Sequence, residues 1–422
     1  MAGLRWRSRW YWPWVSLPSH PPDTVTFVAR CRTFRYLLQP TARQVAALDV
    51  LLRQQCELYN AALQDRRGAW RWESRSESYV SQCRTLTELR SVRPEILLHG
   101  VTVCRGTLKR LDRAFCAFYR RVRTGETPGF PRFKSVRRFD SVQWEDRNGW
   151  RLDSDSRRLH LHGIGGVKLR LHRPTLGTPK SITVAREGRR WFVSVRCVDV
   201  PSEPLPRTGR DVGIDLGVCA LVATSDGDLI AEGRFGRKAA QKLAETQRAL
   251  STKRRGSNRR KRAVEQVASA HRKVRNQRKD LAHKLSRQLV NDYDLIVCED
   301  LKVSNMVRRP KPRPNEEGSF DPNGASAKSG LNRSIHDSGW GVLVSFLAYK
   351  AEDAGRELIT VDPRHTSQTC SRCEHVSKDN RVTQAEFRCQ ACGFQAHADT
   401  NAAVNILRAG RALRASACGG SN

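Results

Sequence analysis

The stretch VGIDLGV, residues 212–218, reads as a buried strand that carries a single acid, Asp215. An ionised carboxylate inside an apolar strand is costly unless it is paired or bound to metal, so Asp215 demands a partner. A second apolar run, Ala220 to Thr224, followed by the turn Asp226-Gly227-Asp228, reads as the strand that pairs with it. The signature recurs at YDLIVCEDL (293–301), another buried strand ending in Glu299 and Asp300, and a third acid, Asp399, precedes the apolar helix Ala402 to Leu407. In an α/β sheet such acids can converge despite their distance in sequence. Three converging carboxylates make an oxygen-rich nest for two Mg2+ ions, which activate water and stabilise the leaving oxygen of a phosphodiester. Taken singly, each acid reads equally well as a cap, a turn residue or an ion pair, and Asp399 in particular suits a helix N-cap.

Just upstream of Asp399, Cys370, Cys373, Cys389 and Cys392 form a C-x2-C-x15-C-x2-C array. Thiolates two apart on a tight turn can point at one ion, and two such turns complete a tetrahedral Zn2+ site. Two disulfides are the competing reading, disfavoured because nothing in the chain resembles a secreted protein. Four thiolates leave zinc no open position, so the ion is structural. The other nine cysteines show no paired spacing and read as reduced thiols of a cytoplasmic protein.

The chain has 422 residues, enough for two to four domains, and 76 Lys+Arg against 42 Asp+Glu give a formal net charge of +34. Such a charge is self-repelling without a polyanion, so nucleic acid is the expected partner. No run of about 18 apolar residues is present, which argues against a membrane partner. No GxxxxGK[ST] loop, G-x-S-x-G elbow or H-E-x-x-H pair is found, which removes P-loop nucleotide binding, serine hydrolysis and zincin chemistry.

Composition shifts divide the chain. Residues 1–24 are Trp- and Arg-rich without periodicity and read as a disordered extension, with a stacking arm for single-stranded nucleic acid as the alternative. The alternation at 26–38 and three strand-like stretches within 126–200 predict a small β-barrel, and the helices at 41–123, with Thr41 as N-cap of the first, insert into it. A second domain starts at Val212; it includes basic helices over 234–290 that break near Gly256-Ser257-Asn258, and a Pro/Gly/Ser-rich loop over 307–330 that reads as mobile. The tail 409–422 carries no core pattern and reads as disordered.

The segments VGIDLGV (212–218), IVCEDLKVSNM (296–306), LNRSIHDSGW (331–340), HTSQTCSRC (365–373), FRCQACGF (387–394) and HADTNAAVNI (397–406) resemble, in this order, the TnpB family, the OrfB group of insertion-sequence proteins related to compact type V CRISPR effectors. GFPRFKS (129–135) and the WFVSV hairpin (191–195) are similar to that family's wedge domain. The resemblance covers roughly residues 26–408. It implies a multidomain α+β protein with an RNase H-like, RuvC-type α/β nuclease domain (206–365 and 395–408) and an inserted zinc ribbon (366–394). It also implies a wedge β-barrel (25–40 and 126–205) carrying an inserted helical recognition domain (41–125). Asp215, Glu299 and Asp399 become the catalytic, magnesium-binding acids, and a guide RNA from the transposon end directs cleavage of double-stranded target DNA beside a short motif. A regulator that binds nucleic acid without cutting it, and a transposase or recombination accessory protein, are the rival readings. Two positions depart from the family pattern: Glu374 stands where Gly is frequent in the first knuckle, and Ala398 where Arg is frequent before the last acid.

Overall fold

The computed structural model describes residues 31–419 apart from 93, 203, 232–234 and 317, so the Trp-rich extension lies outside the described residues. Strand β1 (Arg32–Gln39) leads into helix α1 (Ala42–Glu73). The predicted cap is present: the Thr41 hydroxyl accepts from the Gln44 backbone N–H at 3.3 Å, and the Gln44 side chain accepts from the Thr41 N–H at 3.1 Å. Helices α2 (Tyr79–Val92) and α3 (Val101–Arg123) follow. Six strands come next: β2 (Ser141–Trp144), β3 (Trp150–Asp153), β4 (Arg158–Leu161), β5 (Gly165–Arg170), β6 (Thr178–Glu187) and β7 (Arg190–Val198).

These strands form one antiparallel sheet in the order β2-β6-β7-β1-β5-β4-β3, with the N-terminal strand between β7 and β5 as the alternation at 26–38 requires. The expected barrel is not closed by hydrogen bonds: among the described residues β2 and β3, at the two ends of the order, share no ladder. Helices cover the face instead. Leu48, Leu52 and Leu63 of α1 and Leu108 and Leu111 of α3 belong to the same buried cluster as Trp144, Leu159 and Val193 of the sheet. Helix α3 approaches so closely that a Cβ on Gly106 would lie 2.1 Å from the Gln143 carbonyl oxygen. The helical insert therefore has no core of its own; it shares that of the sheet.

The second half is built on strands β8 (Asp211–Asp215), β9 (Ala220–Thr224) and β10 (Leu229–Ala231), helices α4 (Phe235–Ser251) and α5 (Asn258–Asp292), and strand β11 (Leu295–Glu299). Ser257 caps α5, at the break read from Gly256-Ser257-Asn258. A short helix α6 (Val303–Met306), a two-residue-per-strand hairpin β12 (Arg313–Pro314) and β13 (Phe320–Asp321), helices α7 (Ala325–Ser338) and α8 (Trp340–Ala354) and strand β14 (Glu357–Val361) complete it. The 307–330 stretch is thus not all loop: it holds the hairpin and the start of α7, whose LNRSIHDS segment buries Ile335 in the core.

The sheet order is β10-β9-β8-β11-β14, antiparallel through β8 and parallel from β8 to β14. Val212, Ile214, Ile296 and Cys298 pack under α5 and α8 with Leu289, Leu343 and Leu347, while Leu295 and Val297 face the other way, onto Ile406. Burial on both faces explains why β11 reads as a continuous apolar run.

The opposite face is covered by α9 (Ala398–Gly419), reached through the hairpin β15 (Glu386–Arg388) and β16 (Gln395–His397). Contrary to the reading of 409–422 as a disordered tail, α9 continues to Gly419, because Arg411 pairs with Asp211 at 2.8 Å and Arg414 with Glu357 at 2.9 Å. A pattern search for apolar residues misses a helical turn held by ion pairs.

Candidate active site and metal centre

Side chains alternate along a strand. With Val212 and Ile214 turned toward α5 and α8, Gly213 and Asp215 face α9; with Ile296 and Cys298 on that first side, Glu299 faces α9 as well. Cys298 is paired with Ile214 in the parallel ladder, so the next residues, Glu299 and Asp215, end neighbouring strands side by side. Helix α9 starts above this edge and carries Asp399 in its first turn. Asp399 therefore lies inside the helix and is not its N-cap.

Burial pushes the Asp215 carboxyl up to about 7, and the charges of Glu299 and Asp399 add to that effect, while Arg381 opposes it. Glu299 is raised too, by burial, against the pull of a hydrogen bond donated by the Thr366 hydroxyl at 2.6 Å. Asp399, 8% exposed, accepts from Arg381 Nη2 at 3.0 Å, and the same nitrogen donates to the Gln384 carbonyl at 2.8 Å. The loop after Asp215 is pinned by the Trp340 indole, which donates to the Gly217 carbonyl at 3.2 Å. The three acids read from sequence are thus brought to one edge of one sheet, where Asp215 feels the charge of the other two. Their oxygen-only donor set suits a hard cation such as Mg2+.

The four cysteines also meet. Their sulfurs all lie within 4.8 Å of one another, the only such group of three or more potential metal ligands among the described residues. The Sγ atoms of Cys370 and Cys392 are 3.8 Å apart, and those of Cys373 and Cys389 are 3.5 Å apart. A disulfide would need about 2.05 Å, whereas the edge of a tetrahedron with Zn–S bonds of about 2.3 Å is about 3.8 Å. The residues fit a Zn2+ ion and exclude the disulfide reading. The Glu374 departure has a cost here, since its φ of 63° is left-handed, the region glycine favours.

Side chains that the sequence reading passed over tie this ribbon to the acids. Asn405 Nδ2 donates to the carbonyls of Thr366 at 2.9 Å and Thr369 at 2.7 Å, and Asn401 spans Thr369 and Ser371. The i, i+4 spacing of the two asparagines in DTNAAVN was a visible signal of one helix face. Arg381 was one arginine among many, and Thr366 one threonine, with nothing local to single them out. His365, which opens the HTSQTCSRC segment, sits in a turn with its Nδ1 3.2 Å from Gln368 Oε1.

A cleft of about 1040 Å³ lies between β1 and helices α5 and α8, lined by Arg32, Arg35, Arg173, Lys284 and Arg287. Burial lowers Lys350 at its base to about 8, and its Nζ donates to the His283 carbonyl at 2.5 Å and the Ser286 hydroxyl at 2.7 Å. Ion pairs of either sense join α5 to the β6–β7 turn: Arg275 pairs with Glu187 at 2.9 Å and Glu265 with Arg189 at 2.8 Å. No helix among the described residues is long and apolar enough to cross a membrane.

The OrfB_IS605 family model, described as "Probable transposase", matches residues 194–309, and the Cas12f1-like TNB domain model matches 340–406. The chain is 37% identical over 313 residues to the protein provisionally named RNA-guided DNA endonuclease InsQ of Escherichia coli (strain K12), covering 74% of this chain and 75% of that one. A Streptomyces pristinaespiralis protein, likewise provisionally named an RNA-guided DNA endonuclease, is 33% identical over 92% of this chain and 91% of its own length. Among solved structures, Cas12f1 in complex with single-guide RNA and target DNA shares the fold with a TM-score of 0.53 at 14% identity, covering 90% of this chain and 98% of that one.

Proposed function

The chain belongs to the TnpB (OrfB) family of insertion-sequence proteins, related to type V effectors, and we propose that it is an RNA-guided DNA endonuclease that hydrolyses target DNA at Asp215, Glu299 and Asp399. The observation that carries the reading is the placement of Asp215 and Glu299 at the ends of adjacent parallel strands, coupled in charge to Asp399 at the start of α9. The relatives' names supply RNA guidance and DNA as substrate; the acids supply a place for the chemistry.

The mixed sheet with acids at its strand ends supports a RuvC-like nuclease domain of the RNase H type over 206–365 and 395–408, interrupted by a zinc ribbon over 366–394. The antiparallel sheet β1–β7 serves as the wedge, and helices α1–α3 as the recognition insert. The arginine-lined cleft between β1, α5 and α8 suits a nucleic-acid backbone, which bidentate guanidinium groups bind well.

Asp215, Glu299 and Asp399 would hold the catalytic Mg2+. Oxygens bound to one octahedral Mg2+ lie within about 4.2 Å of each other. Among the described residues the three carboxylates do not all come within 4.8 Å of one another, so in this arrangement no single ion would be held by all three. When bound, the ions supply positive charge that activates water and steadies the departing 3′-oxygen. The protein's own part is to keep the cluster in register and charged. Thr366 fixes the rotation of the Glu299 carboxylate, Trp340 holds the turn behind Asp215, and Asn405 fixes the carbonyl of Thr366. Asp215 must lose its proton to act as a ligand. Arg381 offsets the repulsion among the acids.

The test is cleavage of a plasmid bearing a guide-matched target by the ribonucleoprotein purified from its native locus, with and without Mg2+. Asp215→Ala is expected to abolish cutting while RNA binding persists. Target binding without Mg2+-dependent cutting by the wild-type complex would instead support the non-cleaving regulator.

A further inference from the structure

A second cavity, of about 550 Å³, opens in the helical insert, between the C-terminal part of α1, the turn after it and the second half of α3. Its wall is aromatic. Phe130 meets Phe115 at 5.6 Å and Phe118 at 5.3 Å, centroid to centroid, both edge to face. At the mouth Trp70 is 62% exposed and Tyr119 is 53% exposed. Large aromatic surface left in water at one place marks an interaction site.

The charges around it define what is bound. Arg66 lies at the floor, its guanidinium 5.0 Å from the Phe115 ring centre and its Nε donating to Gln82 at 2.9 Å. Asp112, an acceptor for Arg66 at 3.3 Å, and Glu77 bring carboxylates to the same cavity. Arg67 and Arg71 line it as well. An apolar protein segment or a lipid chain has no use for these three guanidinium groups. A nucleic-acid strand uses both: phosphates for the guanidinium groups and a flat base for the ring faces. The volume falls in the range of sites that enclose a small organic group. Bases inside a duplex present no free faces, so the base must be unpaired.

We infer that this cavity receives an unpaired base of the RNA that the protein carries, an assignment that rests on the proposed reading of the chain as RNA-guided. RNA is the source favoured over DNA because a guide is bound before any target is met. A constitutive partner explains how the aromatic mouth is kept from water throughout the protein's working life.

The test uses the full-length protein freed of RNA and a single-stranded RNA oligonucleotide of mixed sequence with one internal 2-aminopurine, beside its DNA counterpart. Trp70 is exposed, so Trp70→Ala leaves the core intact. Base–aromatic stacking is worth about 1–3 kcal/mol per base, so Trp70→Ala is expected to weaken RNA binding about tenfold. It should also abolish the quenching of 2-aminopurine, and Trp70→Phe should restore both. RNA binding that is normal but indifferent to Trp70→Ala overturns the cavity assignment and leaves RNA guidance standing. Failure of the wild-type protein to bind RNA at all overturns RNA guidance itself. Trp70-dependent quenching with the DNA probe alone overturns the choice of RNA, and a dimer lost in Trp70→Ala on sedimentation would make the patch a self-interface.

Discussion

Arg381, between the two cysteine pairs, places its Nη2 3.0 Å from Oδ1 of Asp399, so the ribbon reaches back to the carboxylate cluster it interrupts. The same guanidinium lowers the proton affinity of Asp215. Arg381→Ala removes the cation that offsets the repulsion within a cluster of like charges. Cleavage is expected to fall about a hundredfold, the scale seen when one charge-stabilising donor is removed from an active site. Divalent-ion binding, read by Mn2+ titration, should be no weaker, because a competitor for Asp399 has gone. Weaker Mn2+ binding would show that Arg381 serves to build the metal site.

The raised Asp215 carboxyl makes stability depend on pH in a direction opposite to that of a salt-bridged acid. Its folded value, about 7, lies above the ordinary value near 4. The folded state therefore binds the proton more tightly. Its contribution to stability is fully present below pH 4 or so and is lost as the pH rises through about 7. Glu299 shifts the same way. In chelator, the melting temperature is expected to fall between about pH 5 and 8, and Asp215→Asn should remove up to about 1.4 kcal/mol per pH unit of that slope. An unchanged slope in Asp215→Asn would mean that the carboxyl titrates normally.

Local pattern was enough to find every group whose chemistry shows in its own neighbourhood. Asp215 and Glu299 stand out against apolar strands, the cysteines against their own spacing, and Thr41 by the Gln three positions on. What stayed hidden depends on partners far along the chain. Arg381 and Thr366 acquire their roles from Asp399 and Glu299, 18 and 67 residues away. The extension of α9 depends on Asp211 and Glu357, and the helices of the insert have no core until the sheet supplies it. Register and burial decide these, and neither is written in a short window.

The knuckle residue Glu374 offers a gain. With φ at 63° it is held in a backbone conformation that costs a side-chain-bearing residue about 1 kcal/mol or more, and its exposed pair with Arg408 at 3.0 Å returns little. Its counterpart in the second knuckle, Gly393, has the same backbone sign with φ at 71° and no such cost. Glu374→Gly is expected to slow the loss of zinc to a chelator, by about fivefold. Cys389→Ser should release the ion and abolish cleavage while RNA binding remains. Cleavage that survives in zinc-free Cys389→Ser would separate the ribbon from the placement of Asp399.

Gly213 tests whether the contact between β8 and α9 sets the distance between Asp215 and Asp399. A Cβ there would lie 2.1 Å from the Ala403 carbonyl oxygen and 2.7 Å from the Leu407 nitrogen, both backbone atoms that cannot swing aside. Gly213→Ala must therefore push α9 off the sheet, a strain of about 1–3 kcal/mol, and α9 carries Asp399 with it. Both a lower melting temperature and a loss of cleavage are expected. Gly341, in α8, is the control, because a Cβ added there would meet nothing within 4 Å. Gly341→Ala should leave cleavage unchanged and raise stability slightly through helix propensity. If Gly213→Ala lost stability but cut DNA at the wild-type rate, the site would tolerate movement of α9, and the close packing of strand on helix would serve the fold alone.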